Sequence, residues 1–143
     1  MKMIARWRAS RTWVIAFAAL IGGVVGVGAD HYAFAQQPGI KRTELLRTDL
    51  PSSSAYEAVM AVAEIAPGAM AGKHRHNGIE VGYVLEGSIE LDHDGEPMRL
   101  LTAGQGFKNA AGVHNARNTG KGPVKILAVY IVEKGKPLSE PVP

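Results

Sequence analysis

The chain has 143 residues, of which 46% are apolar and 20% charged, a globular balance with length for one domain and an appendage. Cysteine is absent, which excludes disulfides, zinc–thiolate centres and thiol nucleophiles. The net charge of +3 points to nucleic acid only until its location is considered: Lys2, Arg6, Arg8 and Arg11 face a single acid, Asp30, within residues 1–35.

Residues 1–35 read as a secretory signal peptide. A basic start is followed by an uncharged stretch from Thr12 to Ala29, then by Ala33-Phe34-Ala35, small residues two apart, just before Gln36. No two arginines in it are adjacent, so the expected route is general secretion into the periplasm or the medium. The apolar stretch is also near the length of a membrane span, and an uncleaved N-terminal anchor is the alternative. Removing residues 1–35 leaves 12 basic and 12 acidic residues. The mature chain is therefore neutral, and no basic patch remains to argue for nucleic acid.

Residues 36–55 follow as an N-terminal arm or edge strand, centred on Gly39 to Leu50. Residues 56–133 hold the barrel, a succession of short β-like runs. Tyr56 to Ile65 stops at Pro67-Gly68. Glu80 to Leu85 and Ser88 to Asp92 flank Glu86-Gly87, and Asp94-Gly95 is a hairpin signal before Met98 to Leu101. Gly104 and Gly106 precede Phe107, Gly112 precedes another short run, and Gly120-Lys121-Gly122-Pro123 is a turn. Val124 to Val132 is the most hydrophobic run. Residues 134–143 form a tail whose three prolines bar it from a sheet interior. Many strands at short spacing predict an all-β sandwich or barrel.

The histidines carry the chemistry. His74 and His76 are two apart and share a face if they lie on a strand. Glu80 follows four residues later, and His114 stands in a separate strand-like run. Two or three imidazoles and one carboxylate converging on one face make a first-row transition-metal site with positions left open. His93, in Asp92-His93-Asp94-Gly95-Glu96, reads as part of a solvated hairpin tip. Tyr83 has the opposite parity to Glu80 and is expected on the outer face. Val84 and Phe107 are expected in the core, Arg75 and Arg117 to point away from the site, and Lys73 and Lys108 on solvated surface.

These residues sit in a longer pattern that resembles the cupin family. The first cupin motif is present in full, as Gly68-AMAGK-His74-Arg75-His76-NGI-Glu80-VGYVLE-Gly87. The second is partial, as Gly104-QGFKN-Ala110-Ala111-Gly112-Val113-His114-NAR-Asn118. It lacks the family's usual proline, with Ala110 in that place, and only Val113 separates Gly112 from His114 where two residues are usual. The resemblance implies a double-stranded β-helix, or jelly roll. It implies one divalent transition metal (iron, manganese, zinc, copper or nickel) bound by His74, His76, Glu80 and His114, with Asn118 closing the motif. Strand parity requires a bulge or tightened turn at Ala110-Ala111-Gly112 for His114 to reach the metal. Without one, the triad His74, His76 and Glu80 remains.

The implied function is a metal-dependent enzyme, dioxygenase-like, acting on a small organic molecule, with Glu80 as both ligand and base. A lyase or isomerase at the same centre is one alternative, and a non-catalytic module binding a metal or small metabolite is another. Fold does not decide between them. Exposed edge strands favour a homodimer, with the arm from Gly39 to Leu50 as the exchange element. The membrane enters only through an uncleaved N-terminus.

Overall fold

The computed structural model describes residues 37–110 and 112–143; the signal segment and its boundary lie outside the described residues. Within them the chain alternates inward apolar and outward residues, and every regular element is a strand. Among them no helix is long and apolar enough to cross a membrane. The ten strands are β1 (Ile40–Leu50), β2 (Ser53–Ile65), β3 (His74–Arg75), β4 (Gly78–Glu86), β5 (Ser88–His93), β6 (Arg99–Thr102), β7 (Gly106–Asn109), β8 (His114–Arg117), β9 (Val124–Glu133) and β10 (Glu140–Pro141).

They form two five-stranded antiparallel sheets, ordered β1-β2-β9-β4-β7 and β10-β3-β8-β5-β6. Alternation dictates which face each sheet buries. In β9, Val124, Ile126, Ala128, Tyr130 and Val132 are buried while the residues between them are partly exposed. Val59, Ala61 and Ile65 of β2, Val84 of β4, and Ile89 and Leu91 of β5 complete a core between the sheets. This is the jelly roll that the sequence predicts.

The chain passes between sheets at sharp corners. Gly87 joins β4 of the first sheet to β5 of the second with φ +80, a backbone region that side chains disfavour. A Cβ there would also lie 2.7 Å from the Pro123 carbonyl oxygen. Asn118 fastens two more loops. Its Nδ2 donates to the carbonyls of Ile65 and Gly122, each at 2.9 Å, and its Oδ1 accepts from the Gly120 amide. Asn118 is thus a structural tie, fully buried and with its amide group committed to backbone.

The arm is an edge strand: β1 pairs with β2 from Ile40 to Leu50. The tail also takes an edge. Glu140 and Pro141 pair with Arg75 and His74 of β3, a place where proline's missing N–H costs no central ladder bond.

A candidate metal centre between the sheets

The second sheet contributes a row of imidazoles. His74 of β3 pairs with His114 of β8, and His114 pairs with His93 of β5, so the three side chains share one face. His76, two residues beyond His74, returns to that face. The first sheet faces this row with another. Asn109 of β7 pairs with Glu80 of β4, and Glu80 with Tyr130 of β9.

The two rows meet inside the barrel. One ring nitrogen from each of His74, His76 and His114 lies within 4.8 Å of the others, and all three residues are buried. Glu80 Oε2 is 3.2 Å from His76 Nε2 and 3.5 Å from His114 Nε2, and it accepts a 2.7 Å hydrogen bond from Asn109 Nδ2. The Tyr130 hydroxyl hydrogen-bonds the same carboxylate. The structure therefore brings together all four residues singled out from sequence. On the approach to β8 the Gly112 amide donates to the Ala110 carbonyl, and His114 pairs with His74.

Each imidazole has its other nitrogen committed. His74 Nδ1 donates to the Gly72 carbonyl at 2.8 Å, His114 Nδ1 to the Gly112 carbonyl at 3.2 Å, and His76 Nδ1 to the Leu138 carbonyl. A carbonyl only accepts, so each Nδ1 carries the proton and each neutral ring presents a bare Nε2 lone pair. Three lone pairs and a carboxylate then point at one another. His114 Nε2 is buried without a hydrogen-bond partner. Lone pairs so arranged repel unless a cation lies among them, either a proton or a metal. Neutral imidazoles fixed through Nδ1 by backbone carbonyls, beside one carboxylate, are the donor set of a first-row divalent ion. The residues present fit such an ion.

Burial sets the titration of the site. His74 is lowered from 6.5 to about 4 chiefly by desolvation, which with the smaller effects of His114 and His76 outweighs the Gly72 carbonyl and Glu80. Burial works the other way on Glu80, but the closeness of His114 and His76 and the hydrogen bond from Asn109 override it and hold the carboxyl well below the usual range. Tyr130 is pushed well above 10 by burial and by the Glu80 charge, so its hydroxyl stays protonated.

Beside the cluster lies a cavity of about 40 Å³. Its polar lining includes Arg42, Asn109, Tyr130 and Ser139 together with the three histidines and Glu80. Arg42, Asn109 and Tyr130 went unnoticed in the sequence as site residues. Parity offered the signal: Arg42 keeps step with buried Ile40, Asn109 with Phe107, and Tyr130 with Ile126 and Ala128. Phe107 is both core and cavity wall, and it fits because Gly82 has no side chain; a Cβ at Gly82 would lie 2.1 Å from the ring.

His93 corrects the sequence reading. Its side chain is only 13% exposed, not a solvated tip, because it shares the inward parity of Ile89 and Leu91. Its ring is parallel to that of His114, with centroids 6.0 Å apart. The remaining candidates lie outside. Tyr83 is exposed on the outer face, Lys73 pairs with Asp94, and Arg75 pairs with Glu140. Lys108 and Arg117 are exposed.

Residues 61–130 match the cupin domain model. The chain carries a cupin domain. No curated protein matches the chain, but solved structures share its fold. KdgF from a Halomonas species aligns with TM-score 0.54 and 24% identity, over 66% of this chain and 80% of that one. An oxalate oxidase in complex with glycolate aligns with TM-score 0.58 and 20% identity, over 82% and 72%. The DMSP lyase DddQ from Ruegeria pomeroyi aligns with TM-score 0.52 and 21% identity, over 59% and 42%. At these identities the likeness establishes the cupin fold.

Proposed function

We propose that this chain is an exported cupin that holds one divalent transition metal through His74, His76, His114 and Glu80, and that it is a metal-dependent, dioxygenase-like enzyme acting on a small organic molecule. The observation that carries the reading is the convergence of three Nδ1-anchored imidazoles on Glu80 beside a cavity. A purely structural barrel gains nothing from burying such a set. Two of the solved structures sharing the fold bear enzyme names, an oxidase and a lyase.

A bound divalent ion would polarise a substrate oxygen and lower the pKa of its proton. Among the described residues Glu80 is the one carboxylate lining the cavity; it is ionised at neutral pH and is placed to accept such a proton. Asn109 and Tyr130 steady that carboxylate from either side. Turnover of small organic molecules by metal-loaded protein, followed together with oxygen uptake, tests the reading. Turnover with oxygen consumed supports the dioxygenase, and turnover without it supports a lyase or isomerase. Glu80→Gln that still binds metal should lose roughly 10²–10⁴-fold in rate, the span of a general base; unchanged turnover removes Glu80 from the chemistry. A metal-loaded protein that binds ligands and turns none over is a binding module.

Export rests on residues 1–35, and a periplasmic or secreted protein beginning at Gln36 is its direct expectation. We assign a second copy of the chain as partner, covering the outward face of the first sheet. There the pairing aligns Val62, Leu127 and Tyr83 in one cross-strand row and Met60, Val129 and Val81 in the next. Val81 and Tyr83 are nearly half exposed.

A further inference from the structure

We propose that residues 136–143 form a hinged strap over the metal centre: closed, it positions His74 and His76, and swung outward from Gly135 it opens the cavity. The proposal deepens the metal-enzyme reading and rests on it for what passes the strap. The ligand strand β3 is short, with His74 inside it and His76 just after it. On one side it pairs with β8 through His74 and His114. On the other, both its residues pair with the tail, His74 with Pro141 and Arg75 with Glu140. The Val142 amide continues that edge, donating to the Lys73 carbonyl at 2.9 Å. The tail also reaches a ligand directly, since the Leu138 carbonyl accepts from His76 Nδ1. A partner on the far nitrogen fixes how an imidazole faces a metal. Both β3 and His76 therefore lean on the tail.

The attachment is suited to release. As far as Glu133 the chain belongs to β9, held between β2 and β4, and the Lys134 amide donates to the Ala55 carbonyl at 2.9 Å. Beyond that point Gly135 turns the chain with φ +77, a region open to glycine, and residues 134–137 are exposed. The tail then returns to the barrel through polar contacts near its surface. Arg75 Nη2 pairs with Glu140 Oε2 at 2.9 Å, and Asn77 Nδ2 donates to Glu140 Oε1 at 2.9 Å and to the Pro137 carbonyl at 3.2 Å. Ion pairs between partly exposed groups hold weakly. Leu138 is the buried apolar anchor. One apolar side chain and a set of surface polar contacts can open locally, well short of global unfolding. Size gives the opening a use. The cavity of about 40 Å³ has room for about three water molecules, so a small organic molecule needs a wall to move. Most of the lining stands on strands of the two sheets, whereas Ser139 stands on the tail.

The chain has no cysteine, so an engineered disulfide makes a clean lock. Arg75 and Glu140 are cross-strand partners, and such partners lie within disulfide reach. The double variant Arg75→Cys with Glu140→Cys is loaded with cobalt(II), and loss of the metal to a chelator is followed by the cobalt absorption in the oxidised and the reduced protein. The oxidised form should release cobalt roughly tenfold more slowly than the reduced form, as a closed lid requires, while reductant leaves wild type unchanged. Equal rates in the two forms overturn the proposal. Positioning has its own readout. Glu140→Ala should shift the cobalt spectrum and weaken binding roughly tenfold, and Glu140→Gln, which keeps an acceptor for Asn77, should lie nearer to wild type. A wild-type spectrum and affinity in Glu140→Ala overturns the proposal as well. If the disulfide does not form, the Glu140 comparison decides. Wild type that takes up no cobalt overturns the metal reading instead. The strap is then judged on metal-free protein by amide hydrogen exchange: a Val142 amide that exchanges faster than those of β9 supports it, and exchange in step with β9 overturns it.

Discussion

His74, His76 and His114 each give one ring nitrogen to a backbone carbonyl and the other to a shared centre. The arrangement has a cost at low pH. His74 is near 4 in the folded chain against 6.5 when unfolded, so between those values the unfolded state binds more protons and folding loses stability as pH falls. Glu80 acts in the same sense, since a carboxyl held low in the fold stabilises it above the unfolded pKa and ceases to do so in acid. The metal-free protein should lose up to about 3 kcal/mol between pH 6.5 and 4 from His74 alone, visible as a falling urea midpoint. A His74→Asn variant should show a flatter profile, and a wild-type midpoint constant over that range contradicts the account. The histidines and Glu80 were legible because local spacing exposes them. Arg42 was not, because only the pairing of β1 with β2 brings it to the cavity.

At the scale of elements, the turn between β7 and β8 does the most for the site. The second motif is one residue short, and a shortened strand would turn His114 to the wrong face. His114 nevertheless pairs with His74, and His93 packs against Gly112. A Cβ on Gly112 would lie 2.4 Å from the His93 ring, which in turn runs parallel to His114. Gly112→Ala should therefore weaken metal binding roughly 10–100-fold, the loss typical of disturbed ligand support. His93→Ala in the same chain should recover most of it; a Gly112→Ala protein with wild-type metal affinity contradicts this. The sequence motif named Gly112 without revealing its neighbour, because the contact crosses from β5. The tail shows the same limit. It adds the edge strand β10, and nothing local disclosed that the Leu138 carbonyl orients His76.

For the whole molecule, the jelly roll was readable from the spacing of strands and turns, since alternation fixes a buried face wherever two sheets stack. Assembly is a separate matter of the outer face. Met60, Val62, Val81, Tyr83, Leu127 and Val129 stand in aligned rows on that face, which the proposed second copy would cover. Sedimentation should report a dimer for residues 36–143, and Val81→Lys with Tyr83→Lys should yield a folded monomer. A wild-type monomer at tens of micromolar, or a dimer indifferent to both substitutions, contradicts that assignment.

The central claim is the metal centre, and metal content tests it most directly. Mature protein, residues 36–143, isolated from its native compartment, should carry about one first-row divalent ion per chain, the capacity of a single cluster of this donor set. His74→Ala with His76→Ala should carry none while remaining folded. Folded wild-type protein that is metal-free, and stays so after incubation with manganese, iron, nickel, copper and zinc in turn, would contradict the account.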